Sequence, residues 1–429
     1  MAEEMTGSKE VSFIGDDIDQ EIITDDVPGQ EPMSDDEEGD EQGDEGQKDQ
    51  NVLEIDMSNN SFSFFDGHFR ENEDSGVTLV ASHPSLPMVM TGGLDNTAYL
   101  WTTHREESTV VAQLTGHTES VVAGGFTSKG DYAVTGDMNG QIRVWKAKKR
   151  GEAWDLVQSI QEVEEIMSIV FHPSQNIFAA CANDGTVWVY AIEPSLENIA
   201  VLEGHAGPVN SAAFVDADDL DNLSLVTVSD DFTIVKWNAY MATPKYKLGD
   251  KDLYGEHAWV SLSVSPTGKT YAVGASDGTL VIVNNENGNV LHRIDTAPSL
   301  EEADKGIESI SWGPQAKVLA VGNIAGEIQL YDLMTWKLRK TLKAGMAITK
   351  LEFVPGTTTL FSSDYEGLVI KWNALSGERL WQSQGHNVGV LGFVLQDGAK
   401  RVITGDDEGV SLVFDTETAP QGTKTLALN

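Results

Sequence analysis

Apolar and polar positions alternate along most of the chain in short runs. From about residue 60 onward, stretches rich in Val, Ile and aromatic residues are separated by turns that contain Gly or Asp. One clear unit begins at Gly116-His117, continues through residues 121–126 and 132–135, and ends with residues 141–145. Runs of this length and composition are typical of β-strands, and the region has no helical period. The pattern therefore predicts an all-β fold.

Each unit ends in a large aromatic or apolar residue. These anchors are Trp101, Trp145, Tyr190, Trp237, Val283, Tyr331, Trp372 and Phe414. A period of roughly 40–45 residues, with Gly-His near its start and Trp near its end, is typical of four-stranded propeller blades. Eight anchors predict an eight-bladed β-propeller over residues 57–429. Residues 61–65 lie before the first anchor, so we expect them to pair with the last blade, beside residues 410–414, and to close the ring.

The repeat resembles that of the WD-repeat family, in which an Asp six residues before the Trp bonds the His of Gly-His. The position is held by Asp95, Asp184, Asp231 and Asp277, whereas the other blades have Asn139, Ala325, Glu366 and Glu408. A buried polar network stabilises a protein only when every member is paired. We therefore expect these four aspartates, together with His117, His205 and His386, to be structural, with no role as catalytic bases or metal ligands.

Charge separates the N-terminal segment from the rest. The whole chain has 68 acidic and 28 basic residues, a formal net charge of −40. Residues 1–56 contain 21 acids and 2 lysines, which predicts a disordered acidic tail because self-repulsion opposes folding. The remainder is still strongly acidic, so we expect cationic partners, with no direct contact to nucleic acid or membrane.

The motifs of catalysis and metal binding are missing from the sequence. It has no Gly-Lys-Ser/Thr phosphate loop, no Gly-x-Ser-x-Gly elbow and no His-Glu-x-x-His, and its single Cys181 cannot build a thiolate cluster. Some propellers are hydrolases, so the fold alone does not exclude an enzyme. We predict a protein that binds rather than catalyses, without cofactor or metal. The lack of a signal sequence, of an apolar span and of cysteine pairs favours the cytosol or the nucleus.

Acidic residues recur where the predicted inner strands begin and where the second strand turns into the third. In a propeller these two kinds of segment lie on one face. They contain Glu119, Glu164, Glu165, Glu308, Asp137, Asp230, Asp364, Asp406 and Asp407, and Trp259 stands at another strand entry. Such a face could receive arginine, since a guanidinium bridges carboxylates with two hydrogen bonds and stacks on aromatic rings. The simpler interpretation is that a strongly acidic propeller has to place its acids in loops.

Several segments resemble one group of WD-repeat proteins. They are residues 54–61, 161–166, 307–312 and 402–414. Together with the acidic leader, they are similar to the ribosome-assembly chaperones of the Sqt and angio-associated migratory cell protein family. The resemblance implies an eight-bladed cytoplasmic propeller that captures the basic N-terminal segment of a newly made large-subunit ribosomal protein, L-ten (uL-sixteen family), and delivers it to late pre-60S particles.

The resemblance also implies which acids receive the basic segment. By local alignment they are Glu119, Glu164, Glu165, Glu308 and Asp407, whereas blade geometry alone adds Asp230, Asp406 and Trp259. We expect a monomer. Two alternatives stay open at this point: a general scaffold for a multiprotein complex, and a propeller that binds histone-type basic proteins.

Overall fold

The computed structural model describes residues 54–55, 61–70, 75–161, 163–417 and 424–425. The tail predicted over residues 1–56 lies outside the described residues, except for the short strand Glu54–Ile55, which pairs with Lys424–Thr425. The described residues form eight four-stranded antiparallel sheets in addition to this pair. The expected eight-bladed β-propeller is confirmed.

Each blade contains four strands, called a to d from the inside outward. Blade 1 contains Val77–Ser82, Met88–Gly93, Ala98–Thr102 and Val110–Leu114. Blade 2 contains Val121–Phe126, Tyr132–Asp137, Gln141–Lys148 and Ala153–Gln161. Blade 3 contains Ile166–Phe171, Ile177–Ala182, Val187–Ala191 and Glu197–Leu202. Blade 4 contains Val209–Val215, Ser224–Ser229, Ile234–Asn238 and Thr243–Leu248. Blade 5 contains Trp259–Val264, Thr270–Ala275, Thr279–Asn284 and Val290–Asp295. Blade 6 contains Ile307–Gly313, Val318–Asn323, Glu327–Asp332 and Leu338–Lys343. Blade 7 contains Ile348–Phe353, Thr359–Asp364, Val369–Asn373 and Glu378–Gln382. Blade 8 contains Val390–Gln396, Arg401–Asp406 and Ser411–Asp415, and its strand d is Ser61–Phe65.

Helical structure is confined to loops in the described part of the chain. It consists of the α-helix Asp250–Leu253 and the 3-10 turns Lys149–Gly151, Leu220–Asn222, Glu302–Asp304 and Asp397–Ala399.

The third strand of each blade carries the anchor found in the sequence. All eight anchors are buried, from Trp101 in blade 1 to Phe414 in blade 8. Their side chains lie between neighbouring sheets, where the second strands contribute Val, Ala and Leu to the same clusters. Burying an aromatic side chain removes 150–250 Å² from water, which accounts for the regularity of these positions.

The ring closes where the two ends of the chain meet. The a strands of successive blades are neighbours around the axis, and the strands that begin at Val77 and Val390 are neighbours as well. Ser61–Phe65 pairs antiparallel with Ser411–Asp415 as the outer strand of blade 8. Phe65 then stacks on Trp101 of blade 1 at 5.0 Å between ring centroids, so one residue joins the last blade to the first.

A buried hydrogen-bond network joins each Gly-His segment to the following blade. In blade 4, His205 lies 3.1 Å from Asp231 and 2.7 Å from Thr227, whose hydroxyl also accepts the indole N–H of Trp237 at 2.9 Å. Burial opposes the ionisation of Asp231, but hydrogen bonds from His205, Thr233 and the Ala206 N–H lower its pKa well below the ordinary value. The carboxylate is therefore an acceptor only, and the imidazole N–H must point towards it.

Five blades contain such a histidine–aspartate pair. The pairs are His68–Asp95, His117–Asp137, His205–Asp231, His257–Asp277 and His386–Asp406. His68 and His257 were not among the expected structural histidines. Asp184 has no histidine partner in the described structure, and instead accepts the N–H of Thr186 at 2.8 Å.

The aspartate occupies one of two registers, and this corrects two expectations. In blades 1, 4 and 5 it stands two residues after strand b, as the sequence rule predicts. In blades 2 and 8 it is the last residue of strand b, where Asp137 and Asp406 accept two turn N–H groups with one oxygen and the histidine with the other. Asp406 is 3% exposed, so the prediction that it contacts a partner is wrong. Asp137 is fully buried and is structural for the same reason.

Candidate functional site

The upper face of the propeller is the end that carries the b–c turns and the segments leading into strand a. In every blade the residue after strand b donates its N–H to the carbonyl just before strand a, as Asp407 does to Gly389 at 3.1 Å. The eight donors are Leu94, Met138, Asn183, Asp230, Ser276, Ile324, Tyr365 and Asp407. This repeated bond holds the turns at fixed positions around the axis, so a side chain in a turn has a defined place.

Every a strand contains a β-bulge at its second residue. Pairing with strand b skips this residue in all eight blades, as between Ile307 and Ser309 in blade 6. A bulge changes the direction of one side chain relative to the regular pleat. The bulged residues are Thr78, Val122, Met167, Asn210, Val260, Glu308, Thr349 and Leu391. Glu308 is the ionisable member of this set.

Glu308 combines exposure with partial desolvation. Glu308 is exposed, yet the neighbouring protein removes enough water from its carboxyl group to raise the pKa of that group. One carboxylate oxygen lies beside Gly306, where a Cβ would approach it to 3.3 Å, and Ile324 lies against the same glycine. A carboxylate that is partly stripped of water but still accessible gains more from a cation than a fully hydrated one.

The other expected acids also lie at this end of the propeller. Glu119, Glu164 and Glu165 precede strand a of blades 2 and 3; the first two are exposed and Glu165 is half-buried. Asp230 and Asp407 occupy the exposed turn position of blades 4 and 8. The sequence thus identified six acids on one face, distributed over blades 2, 3, 4, 6 and 8.

Most of these carboxylates are unpaired within the described part of the chain. Asp230 accepts the amide N–H of Asn210 at 2.7 Å, whereas the side chains of Glu119, Glu308 and Asp407 make no hydrogen bond or ion pair within the described residues. Lys350, the base that follows strand entry in blade 7, donates to the Phe393 carbonyl at 2.7 Å and lies 3.1 Å from Glu352. Neither contact neutralises the acids of the upper face.

Trp259 does not belong to this surface. It is the first residue of strand a in blade 5, is 0% exposed, and packs in the blade core with its ring 5.4 Å from that of His257. The first residue of strand a faces the core, as Ile307 also does, whereas the bulged second residue does not. The prediction that Trp259 stacks on a guanidinium is therefore wrong. Aligning the eight strand entries would have shown that its position is apolar and buried in the other blades.

Apolar side chains that the sequence analysis did not single out accompany the acids. The exposed ones in the turns and strand entries are Met138, Met167, Phe232, Ile324, Met346 and Tyr365. Phe232 has a φ of +68°, at the turn position where six other blades have glycine. An aromatic residue at a glycine-type position is the signal that could have revealed this part of the surface, because a left-handed conformation disfavours bulky side chains. The upper face therefore offers both charge and adaptable apolar contact.

The described residues have few features suited to other chemistry. No cluster of three or more His, Cys, Asp or Glu side chains there could hold a metal ion. A cavity of about 1000 Å³ lies at the opposite end, between blades 4 and 5, with the buried Lys236 donating to Asp216 at 2.7 Å. No helix among the described residues is long and apolar enough to span a membrane.

Comparison with known proteins gives the family. The WD domain, G-beta repeat, matches residues 59–102, 108–146, 155–190 and 196–238, and the anaphase-promoting complex subunit 4 WD40 domain matches residues 299–355. The ribosome assembly protein SQT1 of Saccharomyces cerevisiae is 39% identical over 391 residues, which cover 86% of this chain and 89% of that protein. The human angio-associated migratory cell protein is 25% identical and covers 81% of both chains.

Solved structures agree with the sequence matches. The crystal structure of Saccharomyces cerevisiae Sqt1 has a TM-score of 0.78 and covers 84% of this chain and 100% of that one. The crystal structure of Chaetomium thermophilum Sqt1 bound to the N-terminus of the ribosomal protein L10 has a TM-score of 0.74 at 27% identity, and covers 83% of this chain and 100% of that one. With its eight blades and this level of identity, the chain belongs to the Sqt1 family of WD-repeat ribosome assembly proteins.

Proposed function

We propose that this protein is a dedicated chaperone that binds the basic N-terminal segment of newly synthesised ribosomal protein L10, the L-ten protein of the uL-sixteen family, and delivers it to late pre-60S particles. The upper face is the binding surface, and Glu119, Glu164, Glu165, Asp230, Glu308 and Asp407 receive the Arg and Lys side chains of the segment. The observation that carries the proposal is the group of carboxylates on this face, among which Glu119, Glu308 and Asp407 are exposed and unpaired in the described residues and Glu308 is partly desolvated. A related Sqt1 has been crystallised with the N-terminus of L10.

The chemistry of the surface suits a client of this kind. Fixed carboxylates attract a basic peptide over long range and bind guanidinium groups with charge-assisted hydrogen bonds. The exposed methionines and Tyr365 cover the apolar parts of the same segment. Release needs no nucleotide hydrolysis, because ribosomal RNA presents a denser array of negative charge than the propeller does. The protein acts without catalysis, cofactor or direct RNA contact, as a monomer in the cytoplasm.

Calorimetry with the N-terminal peptide of L10 from the same organism tests the assignment. The Glu308→Lys/Asp407→Lys variant reverses two charges on the upper face and should abolish measurable binding. The Asp218→Lys/Asp221→Lys variant makes the same change of charge at exposed positions of the a–b loop at the other end, and should retain most of the affinity. Wild-type affinity should fall steeply with salt. Equal binding by the two variants would show that the site lies elsewhere.

The identity of the co-purifying client separates this function from the alternatives. A single stoichiometric basic protein that proves to be L10 supports the chaperone. Recovery of histones, or of several proteins of ordinary charge, would instead show a histone-binding protein or a general scaffold.

A further inference from the structure

The b–c turn of blade 7 contains an aspartate with an unused oxygen. Asp364 ends strand b and accepts the N–H groups of Glu366 and Leu368 with Oδ1 at 3.1 and 3.0 Å. Asp137 and Asp406 use Oδ1 in the same way in blades 2 and 8 and give Oδ2 to a histidine. Oδ2 of Asp364 is buried and has no hydrogen-bond partner in the described structure, and the whole residue is 1% exposed.

The histidine is missing because the chain leading into blade 7 is different. Residues 343–347 read Lys-Ala-Gly-Met-Ala, without a Gly-His. Blade 6 also lacks the histidine and has Asn323 at the equivalent position, where its Oδ1 accepts the N–H of Glu327 at 2.9 Å. An amide oxygen therefore accepts the turn N–H in blade 6 without any charge, although Nδ2 of Asn323 is itself buried without a hydrogen-bond partner in the described structure. The fold does not require the negative charge of Asp364, and a buried carboxylate without a partner is unfavourable.

A second carboxylate stands beside the first. Glu366 is exposed and follows Asp364 by two residues in the same turn. A Cβ placed on Gly345 would overlap an oxygen of Glu366 and would lie 3.3 Å from Oδ2 of Asp364. Gly345 and Met346 are themselves exposed. Both carboxylates thus lie against Gly345, an exposed residue that has no side chain to cover them.

Arg379, the base whose charge acts on Asp364, makes its hydrogen bonds to other groups. Arg379 donates to the carbonyl oxygens of Lys343 and Ala344 and lies over the ring of Trp372 at 5.0 Å. Its positive charge lowers the pKa of Asp364 by less than burial raises it. Burial and, to a smaller extent, the negative Glu366 keep the pKa of Asp364 raised. The pair therefore lacks the hydrogen-bond donor that the histidines supply in blades 2 and 8.

We propose that Asp364 and Glu366 form a binding pocket for one cationic side chain of the bound peptide, an arginine or a lysine, in the role that a histidine plays within blades 2 and 8. The inference rests on the proposed function, because the peptide has to lie on the upper face to supply the side chain. The cationic side chain of the peptide binds between the two carboxylates beside Gly345. Arginine suits the site best because one guanidinium group can donate hydrogen bonds to both carboxylates at once. The pocket extends the binding surface from blade 6 through blade 7 to Asp407 in blade 8.

The variants Asp364→Asn and Glu366→Gln test the pocket in the full-length protein. Asp364→Asn keeps the Oδ1 acceptor and reproduces the turn of blade 6, and Glu366→Gln alters an exposed side chain. We expect each to weaken binding of the L10 N-terminal peptide about tenfold, the effect of one charge-assisted hydrogen bond, with unchanged or higher melting temperature. Glu378→Gln is the matched control. It removes one charge from an exposed position at the start of strand d in the same blade, and should bind as the wild type does.

The outcomes separate this inference from the proposed function. If the wild type does not bind the peptide, the proposed function is wrong and the pocket falls with it. If the wild type binds and both Asp364→Asn and Glu366→Gln retain full affinity, the pocket is wrong while the proposed function stands. Should Asp364→Asn lower the melting temperature, the exposed Glu366→Gln decides alone. Each peptide arginine can also be replaced in turn by citrulline. One such replacement should weaken binding to the wild type but not to Glu366→Gln, because two groups in contact are non-additive in a double-mutant cycle.

Discussion

Thr227 in blade 4 provides a direct test of what the buried histidine network contributes to stability. Its hydroxyl accepts the indole N–H of Trp237 at 2.9 Å and lies 2.7 Å from Nε2 of His205. The imidazole N–H points to Asp231, so Nε2 accepts and the threonine hydroxyl donates. Thr227 is 0% exposed, so its hydroxyl group is shielded from bulk solvent. The network therefore depends on one hydroxyl group.

Two substitutions separate the hydroxyl from the methyl group. Thr227→Val keeps the volume but leaves the Trp237 N–H and the His205 nitrogen unpaired, and each buried unpaired group costs about 1–3 kcal/mol. We expect a loss of about 2–4 kcal/mol in the free energy of unfolding. Thr227→Ser keeps the hydroxyl and removes one methyl group, at a cost of about 1 kcal/mol. Serine already performs this role in blade 7, where Ser362 accepts the indole N–H of Trp372 at 2.9 Å.

Urea unfolding followed by far-ultraviolet circular dichroism measures both variants, and equal slopes show that the free energies are comparable. The decisive result is which of the two variants loses more free energy of unfolding. If Thr227→Ser is as destabilising as Thr227→Val, packing of the methyl group determines stability at this position, and the hydrogen-bond network does not.

Four further predictions follow from individual contacts. The pKa of Asp231 is lowered in the folded protein, so its stabilisation is present above the ordinary value of 3.8 and is lost as pH falls through the folded value; the melting temperature of Asp231→Asn should therefore vary less with acid pH than that of the wild type. Phe65→Ala should lower the free energy of unfolding by about 3–5 kcal/mol in urea titrations, because the closing strand loses its buried ring; a loss below 1 kcal/mol would contradict that role. Burial raises the pKa of Cys181 to about 12, so a thiol reagent at pH 8 should modify the protein only after unfolding, and rapid labelling of the native protein would refute its burial. Asp406→Asn should lower the melting temperature and leave peptide affinity nearly unchanged. Asp407→Asn should weaken peptide binding and leave the melting temperature nearly unchanged. Calorimetry and thermal melting of both variants check this pair of expectations.

The blade count could be predicted from sequence because it depends on residues that repeat for a physical reason. Each blade buries one large side chain in its third strand, and all eight anchors, including the weakest, Val283, lie there. Helical repeats have a similar period, but the absence of helical patterning argues against them for the 41–48-residue spacing. The positions of the acids within the repeat also indicated the acidic upper face, since the exposed Glu308 and Asp407 stand in segments that a propeller places at one end.

Local register was not visible in the sequence. A tight turn can place its aspartate at the end of strand b or two residues later, and both positions reach the same histidine, as Asp137 and Asp231 show. The rule of six residues before the anchor describes only the second arrangement, so Asp406 was assigned to the surface. Trp259 was misplaced for a related reason: the first residue of strand a faces the core and the second is bulged, and one residue of offset changes the face.

The same turn therefore serves stability or recognition according to whether its acid finds a partner inside the protein. Asp406 and Asp407 are adjacent, yet the first is hydrogen-bonded to His386 at 2.7 Å and the second is exposed. An acid paired with a buried histidine attracts a peptide weakly, because its charge is already compensated and shielded from the surface. Asp364 is the intermediate case, since it has the position of Asp406 without the histidine. The loss of one Gly-His segment would thus convert a structural acid into a binding acid without any change in the fold.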